Sequence, residues 1–211
     1  MTLRIVVTGT DTNIGKTVFA AGLTSLLGAS YWKPVQAGLD GESDSAAVAR
    51  LGEIPAARIL DPAFNLRTPV SPHRAAEIDG VTIHARNLTP PRTSTPLVIE
   101  GAGGIMVPLS RTAKFVDVFA RWGSPVVLCA RTRLGTINHT LLSLEALRAR
   151  SISILGIAFV GDAEPDAEQA IADIGRVPVL GRLPWIEPLS PAALKREFRR
   201  VFRAEDFAGR A

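Results

Sequence analysis

Apolar residues in this chain come mostly in short unbroken runs, each followed by a stretch of helical spacing. The first run, Leu3 to Val7, ends at Thr8-Gly9, and a helical pattern from Val18 to Leu27 ends near Gly28. Tyr31-Trp32-Lys33 reads as a short strand before Pro34, and Ser43 to Leu51 as a helix with Ser43 or Asp44 at its start. Leu97-Val98-Ile99 reads as a buried strand running into Glu100-Gly101-Ala102-Gly103-Gly104. Further on, helices are predicted over Phe115 to Trp122, Thr136 to Arg150, Asp166 to Ile174 and from Pro191 onward. Leu141, Leu142, Leu144 and Leu147 would form the apolar side of the second of these. Strands are predicted over Pro125 to Ala130, Ile152 to Val160 and Pro178 to Leu183. From Pro55 to Pro96 repeated prolines leave only loops and short pieces.

Strands that are apolar throughout, alternating with helices, predict an α/β fold: a mainly parallel sheet with helices on both faces. No repeat or linker interrupts it, so residues 1–211 are expected to form a single domain. Ligands of such sheets bind beyond the carboxyl ends of the strands. One site should therefore gather Gly9 to Thr17, Lys33, Glu100 to Gly104, Arg131 to Asn138, Gly161-Asp162 and Pro184-Trp185.

The stretch from Leu3 to Thr17, LRIVVTGTDTNIGKT, carries the strongest chemical signal. A strand, a glycine-bounded turn, Gly15-Lys16-Thr17 and a helix start together make a phosphate-binding loop. Its N–H groups and the helix dipole favour anions, Lys16 would reach the β- and γ-phosphates, and Thr17 would place its hydroxyl on Mg²⁺. One more residue separates Gly9 from Gly15 than the standard spacing allows, so Thr10 stands where a glycine is expected. Asp44 and Glu100 are the carboxylates best placed to hold the same cation. Lys33 would be a second positive charge on a transferred phosphoryl group.

Composition narrows the picture. Hydrophobic residues make up 46% of the chain, as expected of a folded globule. The formal charge of +4 includes Arg196, Arg199, Arg200 and Arg203, which alternate with Phe198, Val201 and Phe202. That pattern describes an amphipathic terminal helix with a solvated basic face rather than a nucleic-acid surface. Cys129, the single cysteine, lies in an apolar run and reads as inert core. No signal peptide or membrane-spanning run is evident, so the expected compartment is the cytoplasm.

The motifs GTDTNIGKT, YWKPVQAG, SDSAAVARL, TPVSPH, VIEGAGG with VPL, RLGTINHTLLSLEAL and LPW occur in this order from about Ile5 to Ile186. Together they resemble the dethiobiotin synthase family of biotin biosynthesis. The resemblance implies an ATP- and Mg²⁺-dependent ligase that acts as a homodimer, with its substrate site at the interface. It joins CO₂ to 7,8-diaminononanoate through a carbamate and a carbamic–phosphoric anhydride. By motif position, Lys16, Lys33 and Thr12 would be catalytic, and Thr17, Asp44 and Glu100 would hold the metal. Asn13, Ile14, Gly15, Val18, Gly101, Ala102, Gly103, Gly161, Asp162, Pro184, Trp185 and Ile186 would join Lys16, Thr17 and Glu100 around the nucleotide. Ala37, Ser71, Pro72 and, across the dimer, Gly135, Thr136, Ile137 and Asn138 would meet the substrate.

The chain departs from the family pattern at several places. Asn13 stands for a frequent acid, Ala37 for a hydroxyl residue, Gly161 for a base-reading asparagine and Arg133 for a common lysine. The segment between Ile83 and Leu97 is short where a longer helix is expected. A related P-loop amide-forming ligase and a partition-type nucleotide switch are the alternative readings.

Overall fold

A computed structural model describes residues 2–208. The elements in order are β1 (Arg4–Gly9), α1 (Lys16–Leu27), β2 (Ser30–Trp32), β3 (Val35–Ala37), α2 (Asp44–Gly52), β4 (Ile59–Leu60), β5 (Phe64–Leu66) and α3 (Pro72–Ile78). They continue with β6 (Leu97–Gly104), α4 (Phe115–Trp122), β7 (Val126–Arg131), α5 (Thr136–Arg148), β8 (Ile154–Val160), α6 (Pro165–Gly175), β9 (Val179–Leu183) and α7 (Pro191–Val201). Seven strands form one sheet in the order β4-β2-β6-β1-β7-β8-β9, and β3 and β5 form a small second sheet. Every pairing between these strands is parallel.

Alternation along the strands divides the apolar residues between two clusters, one on each face of the large sheet. Ile5, Val7, Tyr31, Val98, Val127 and Cys129 pack with residues of α1, α2 and α7. Val6, Trp32, Leu97, Ile99, Val126 and Leu128 pack with residues of α3 to α6. Strands covered on both faces need apolar residues at successive positions, which accounts for the unbroken runs. The chain leaves β1 toward β2 on one side, while β6 connects through α4 to β7 on the other. This reversal opens a crevice at the carboxyl ends of β2, β6 and β1.

Most expected elements are present, with shifts at their ends. Gly28 closes α1 in the left-handed conformation, at φ 56°. The Ser43 side chain caps α2 by accepting from the Ala46 N–H, which leaves the Asp44 carboxylate free for other partners. The strand read as Leu97 to Ile99 extends through its glycines to Gly104, since Gly9 pairs with Gly104 at the end of β1. Gly101 needs to be glycine for packing, because a Cβ there would sit 2.9 Å from the Phe119 ring. In α5, Leu144 and Leu147 are buried but Leu142 is 56% exposed, so the apolar side is narrower than its leucines indicate.

Between Pro55 and Pro96, where loops and short pieces were expected, the structure has β4, β5, α3 and two 3₁₀ turns. The strands there are too short to show a period, and β5 exists through its register with β3, Val35 opposite Phe64. The proline at the first position of α3 was the one local signal available. The expected longer helix after Ile83 is reduced to the turn Ala85–Asn87. Trp122 and Arg121 at the end of α4 donate to the Leu88 carbonyl at 2.8 and 2.7 Å and tie this segment down. The terminal helix α7 buries Leu194 and Phe198 and turns its arginines outward, as its pattern required. Among the described residues no helix is long and apolar enough to cross a membrane.

Candidate active site

The loop after β1 takes its shape from two residues in the left-handed region, Asn13 at φ 54° and Gly15 at φ 90°. Asparagine tolerates that region better than most side chains, which suits position 13. No side chain caps the start of α1, and its first turn holds no acidic residue. The backbone N–H groups there remain open to an anion. Lys16 is buried at 6% exposure, and its Nζ donates to the Asp11 carbonyl at 2.6 Å, bending back over its own loop. Burial lowers its pKa below the ordinary lysine value, against the opposing attraction of Glu100.

Beside the loop, three oxygen-bearing side chains converge from three elements. Thr17 Oγ1 on α1 lies 2.9 Å from Asp44 Oδ1 on α2 and 3.0 Å from Glu100 Oε1 on β6. A hydroxyl has one hydrogen, so it satisfies only one of these carboxylates at a time. Lys33, which follows β2, places Nζ 2.8 Å from Asp44 Oδ2 and 2.9 Å from Glu100 Oε1, and also donates to the Gly101 carbonyl at 3.1 Å. Lys33 is 4% exposed and Glu100 1%. Burial pulls the Lys33 pKa down, but Glu100 and Asp44 outweigh it and hold the ammonium above the ordinary lysine value. Burial raises the Asp44 carboxyl, and Lys33 more than reverses this, so Asp44 ionises below its usual range.

Two further residues support the carboxylates; both lie in the YWKPVQAG motif, which gave neither of them a role. Tyr31 OH donates to Glu100 Oε2 at 2.8 Å, and Gln36 Oε1 accepts the Asp44 N–H at 3.2 Å. Burial and then Glu100 push the Tyr31 pKa well above its normal value, so the phenol remains a donor. Two carboxylates and a hydroxyl, with one oxygen contact always lacking a proton, fit a hard cation completed by phosphate oxygens and water. Among the described residues no group of three or more His, Cys, Asp or Glu is placed to hold a metal by itself.

These residues open on a cavity of about 900 Å³. Of the sequence-derived site residues, Thr12, Asn13, Ile14, Gly15, Lys16, Thr17, Val18, Lys33, Ala37, Asp44, Ser71, Pro72, Glu100, Ala102, Gly103 and Trp185 line it. Pro184 and Ile186 line an adjoining cavity of about 430 Å³, which Trp185 shares. Gly101 stands outside, packed on Phe119. Gly161 and Asp162 are not on the cavity wall. A Cβ at Gly161 would lie 2.5 Å from Thr132 Oγ1, and its φ of 131° also calls for glycine. Gly135, Thr136, Ile137 and Asn138 begin α5 and do not line the cavity. The next turns of α5, at His139, Leu142 and Ser143, line a separate cavity of about 500 Å³. Thr12 and Val107 border both of these spaces. Strands β7 to β9 lie on the far side of β1 from β6, which explains why most residues following them stay outside the crevice.

A family model described as an AAA domain matches residues 3–193. An ATP-dependent dethiobiotin synthetase BioD of Rhodopseudomonas palustris (strain TIE-1) is 60% identical over 211 residues, covering 100% of both chains. The chain belongs to the ATP-dependent dethiobiotin synthetase family. A further dethiobiotin synthetase, from Brucella ovis, is 57% identical over 209 residues and covers 99% of each chain. The fold of this dethiobiotin synthetase family member also resembles more distant solved structures. A ParA family ATPase from Chlorobium tepidum TLS aligns with TM-score 0.54 at 12% identity, covering 95% of this chain and 96% of that one. The septum site-determining protein MinD complexed with Mg-ADP from Pyrococcus horikoshii OT3 aligns with TM-score 0.53 at 15% identity, covering 100% and 90%. At such identities the likeness concerns the fold alone.

Proposed function

We propose that this chain is a cytoplasmic, homodimeric ligase that converts 7,8-diaminononanoate, CO₂ and ATP to dethiobiotin, ADP and phosphate. The observation that carries the reading is the convergence of Lys16 and Lys33 with Thr17, Asp44 and Glu100 on the cavity that Ala37, Ser71 and Pro72 also line. Residues 1–211 act as one domain, in keeping with relatives matched over the full length.

The triphosphate lies along the start of α1, where open N–H groups receive it. Its γ-phosphate replaces the Asp11 carbonyl as the partner of Lys16. Thr17, Asp44 and Glu100 would hold Mg²⁺, which would supply positive charge against the phosphates. One amine of the substrate attacks CO₂ and releases a proton to give a carbamate. A carbamate oxygen then attacks the γ-phosphorus and ADP leaves. Lys16 and Lys33 offset the charge gathered as two anions approach, and Thr12 borders the reacting groups. The second amine attacks the carbonyl of the resulting anhydride, loses its proton and expels phosphate as the ureido ring closes.

Nucleotide contacts extend from Asn13–Val18 and Glu100–Gly103 toward Gly161, Asp162 and Pro184–Ile186. Asn138 and the start of α5 serve the active site of a second subunit, which accounts for their position off this cavity.

The test is phosphate release from ATP and Mg²⁺, with and without 7,8-diaminononanoate plus bicarbonate, with mass detection of product. Diamine-dependent release accompanied by a dethiobiotin mass is the expected result. Release that ignores the diamine would overturn the substrate assignment and leave a nucleotide switch or another ligase.

A further inference from the structure

We propose that Tyr31 is a positioning residue for the cation site, holding Glu100 so that Oε1 alone faces the cavity. The inference rests on the reading of Thr17, Asp44 and Glu100 as cation ligands. Tyr31 opposes Val98 in the pairing of β2 with β6. Side chains two apart on a strand share a face, so Tyr31 and Lys33 on one chain segment and Val98 and Glu100 on the other all project to the same side. Glu100 lies two residues beyond Val98, about 6.5 Å along the strand, a gap that the tyrosine ring spans. Its hydroxyl reaches Glu100 Oε2 at 2.8 Å, while Thr17 and Lys33 contact Oε1.

The two carboxylate oxygens therefore have separate duties. Glu100 is buried at 1% exposure, where an Oε2 without a donor would be costly, and among the described residues its recorded donor is Tyr31, itself part of the apolar cluster. With Oε2 held, the carboxylate plane is fixed and Oε1 stays beside Thr17. Tyr31 is fully buried and absent from the cavity wall, so it touches no ligand and acts through Glu100. Phenylalanine would fill the same volume without the donor.

The experiment compares Tyr31→Phe with Ser30→Ala. Ser30, the preceding residue, has a partly buried hydrogen bond of its own, to Thr95 at 2.8 Å on the other face of β2. Mn²⁺ is titrated into each protein with ADP, and free Mn²⁺ is read by electron paramagnetic resonance. Tyr31→Phe should weaken Mn²⁺ binding about 10-fold, the usual effect of losing a partner behind a metal ligand. It should also raise the Mg²⁺ concentration needed for half-maximal turnover by a similar factor. Ser30→Ala should melt earlier yet bind Mn²⁺ as the wild type does. Wild-type Mn²⁺ affinity in Tyr31→Phe, or equal weakening in both variants, would overturn the proposal.

The chain has a single tyrosine, which provides a second test without a substitution. Protein grown on 3-fluorotyrosine has one ¹⁹F resonance, which should shift when Mg²⁺ joins bound ADP. A resonance that does not move would overturn the proposal even if Tyr31→Phe failed to fold. Neither measurement uses the diamine, so loss of the dethiobiotin reading would leave these outcomes distinct. A wild-type protein that takes up no Mn²⁺ with ADP would remove the cation site and this proposal together.

Discussion

Lys33→Met removes one ammonium and keeps an unbranched stem of similar length. In the wild type that ammonium lies 2.8 Å from Asp44 and 2.9 Å from Glu100, with exposures of 4% for Lys33, 31% for Asp44 and 1% for Glu100. Removing one partner of a buried ion pair costs about 3–5 kcal/mol, because the other charge is left without compensation. Asp44 is partly solvated, so the lower end, about 3 kcal/mol, is expected. For a chain of this size that lowers Tm by roughly 6–12 °C. The variant should regain stability when Mg²⁺ is added without nucleotide, since two carboxylates and a hydroxyl then lack their resident cation. At 100 times its dissociation constant the ion would restore about 2.7 kcal/mol. The wild type should respond less, because the ion must compete with Lys33. Calorimetry of both proteins with and without Mg²⁺ measures each part. A loss under about 1 kcal/mol would refute the buried pair, and an equal Mg²⁺ response in the two proteins would refute the shared cation site.

Three other outcomes follow from packing and charge. A Cβ at Gly22 would lie 2.2 Å from the Phe198 ring, which itself packs, tilted, against both Phe19 and Phe202. Gly22→Ala should therefore lower Tm, overpacking of about 1–3 kcal/mol outweighing a helix-propensity gain of about 1; a more stable variant in urea unfolding would contradict this. Thr24 Oγ1 is buried with no hydrogen-bond partner among the described residues, so Thr24→Val should be neutral or stabilising by up to about 1 kcal/mol in the same assay. Arg111 and then Arg74 hold the Glu77 carboxyl at about 2, below the usual 4.5. Its link between α3 and the loop before α4 is thus complete above pH 4.5 and is lost as pH falls toward 2. An NMR titration should place the midpoint near 2, and Arg111→Gln should raise it; a wild-type midpoint near 4.5 would remove the tether.

The phosphate loop, the unbroken apolar strands and the amphipathic terminal helix were legible in the sequence because each depends on neighbours a few residues away. A glycine-lysine-threonine at a helix start needs only local backbone to present N–H groups. A strand buried on both faces has to be apolar at every position. Even the family could be read this way, from short motifs in a set order. The strands and helix between Pro55 and Pro96 could not, since β5 exists only through its register with β3. Packing likewise decided which α5 leucines are buried, and that Gly101 lies against the Phe119 ring. Lys33, Asp44 and Glu100 each looked chemically capable alone, but parallel pairing of β2 with β6 and the docking of α2 bring their charges within 3 Å. Tyr31 reads as an ordinary strand aromatic, and its bond to Glu100 arises from that same pairing. Local sequence sets what a segment forms, whereas the site depends on distances between segments far apart in the chain, and those follow from how the sheet is assembled.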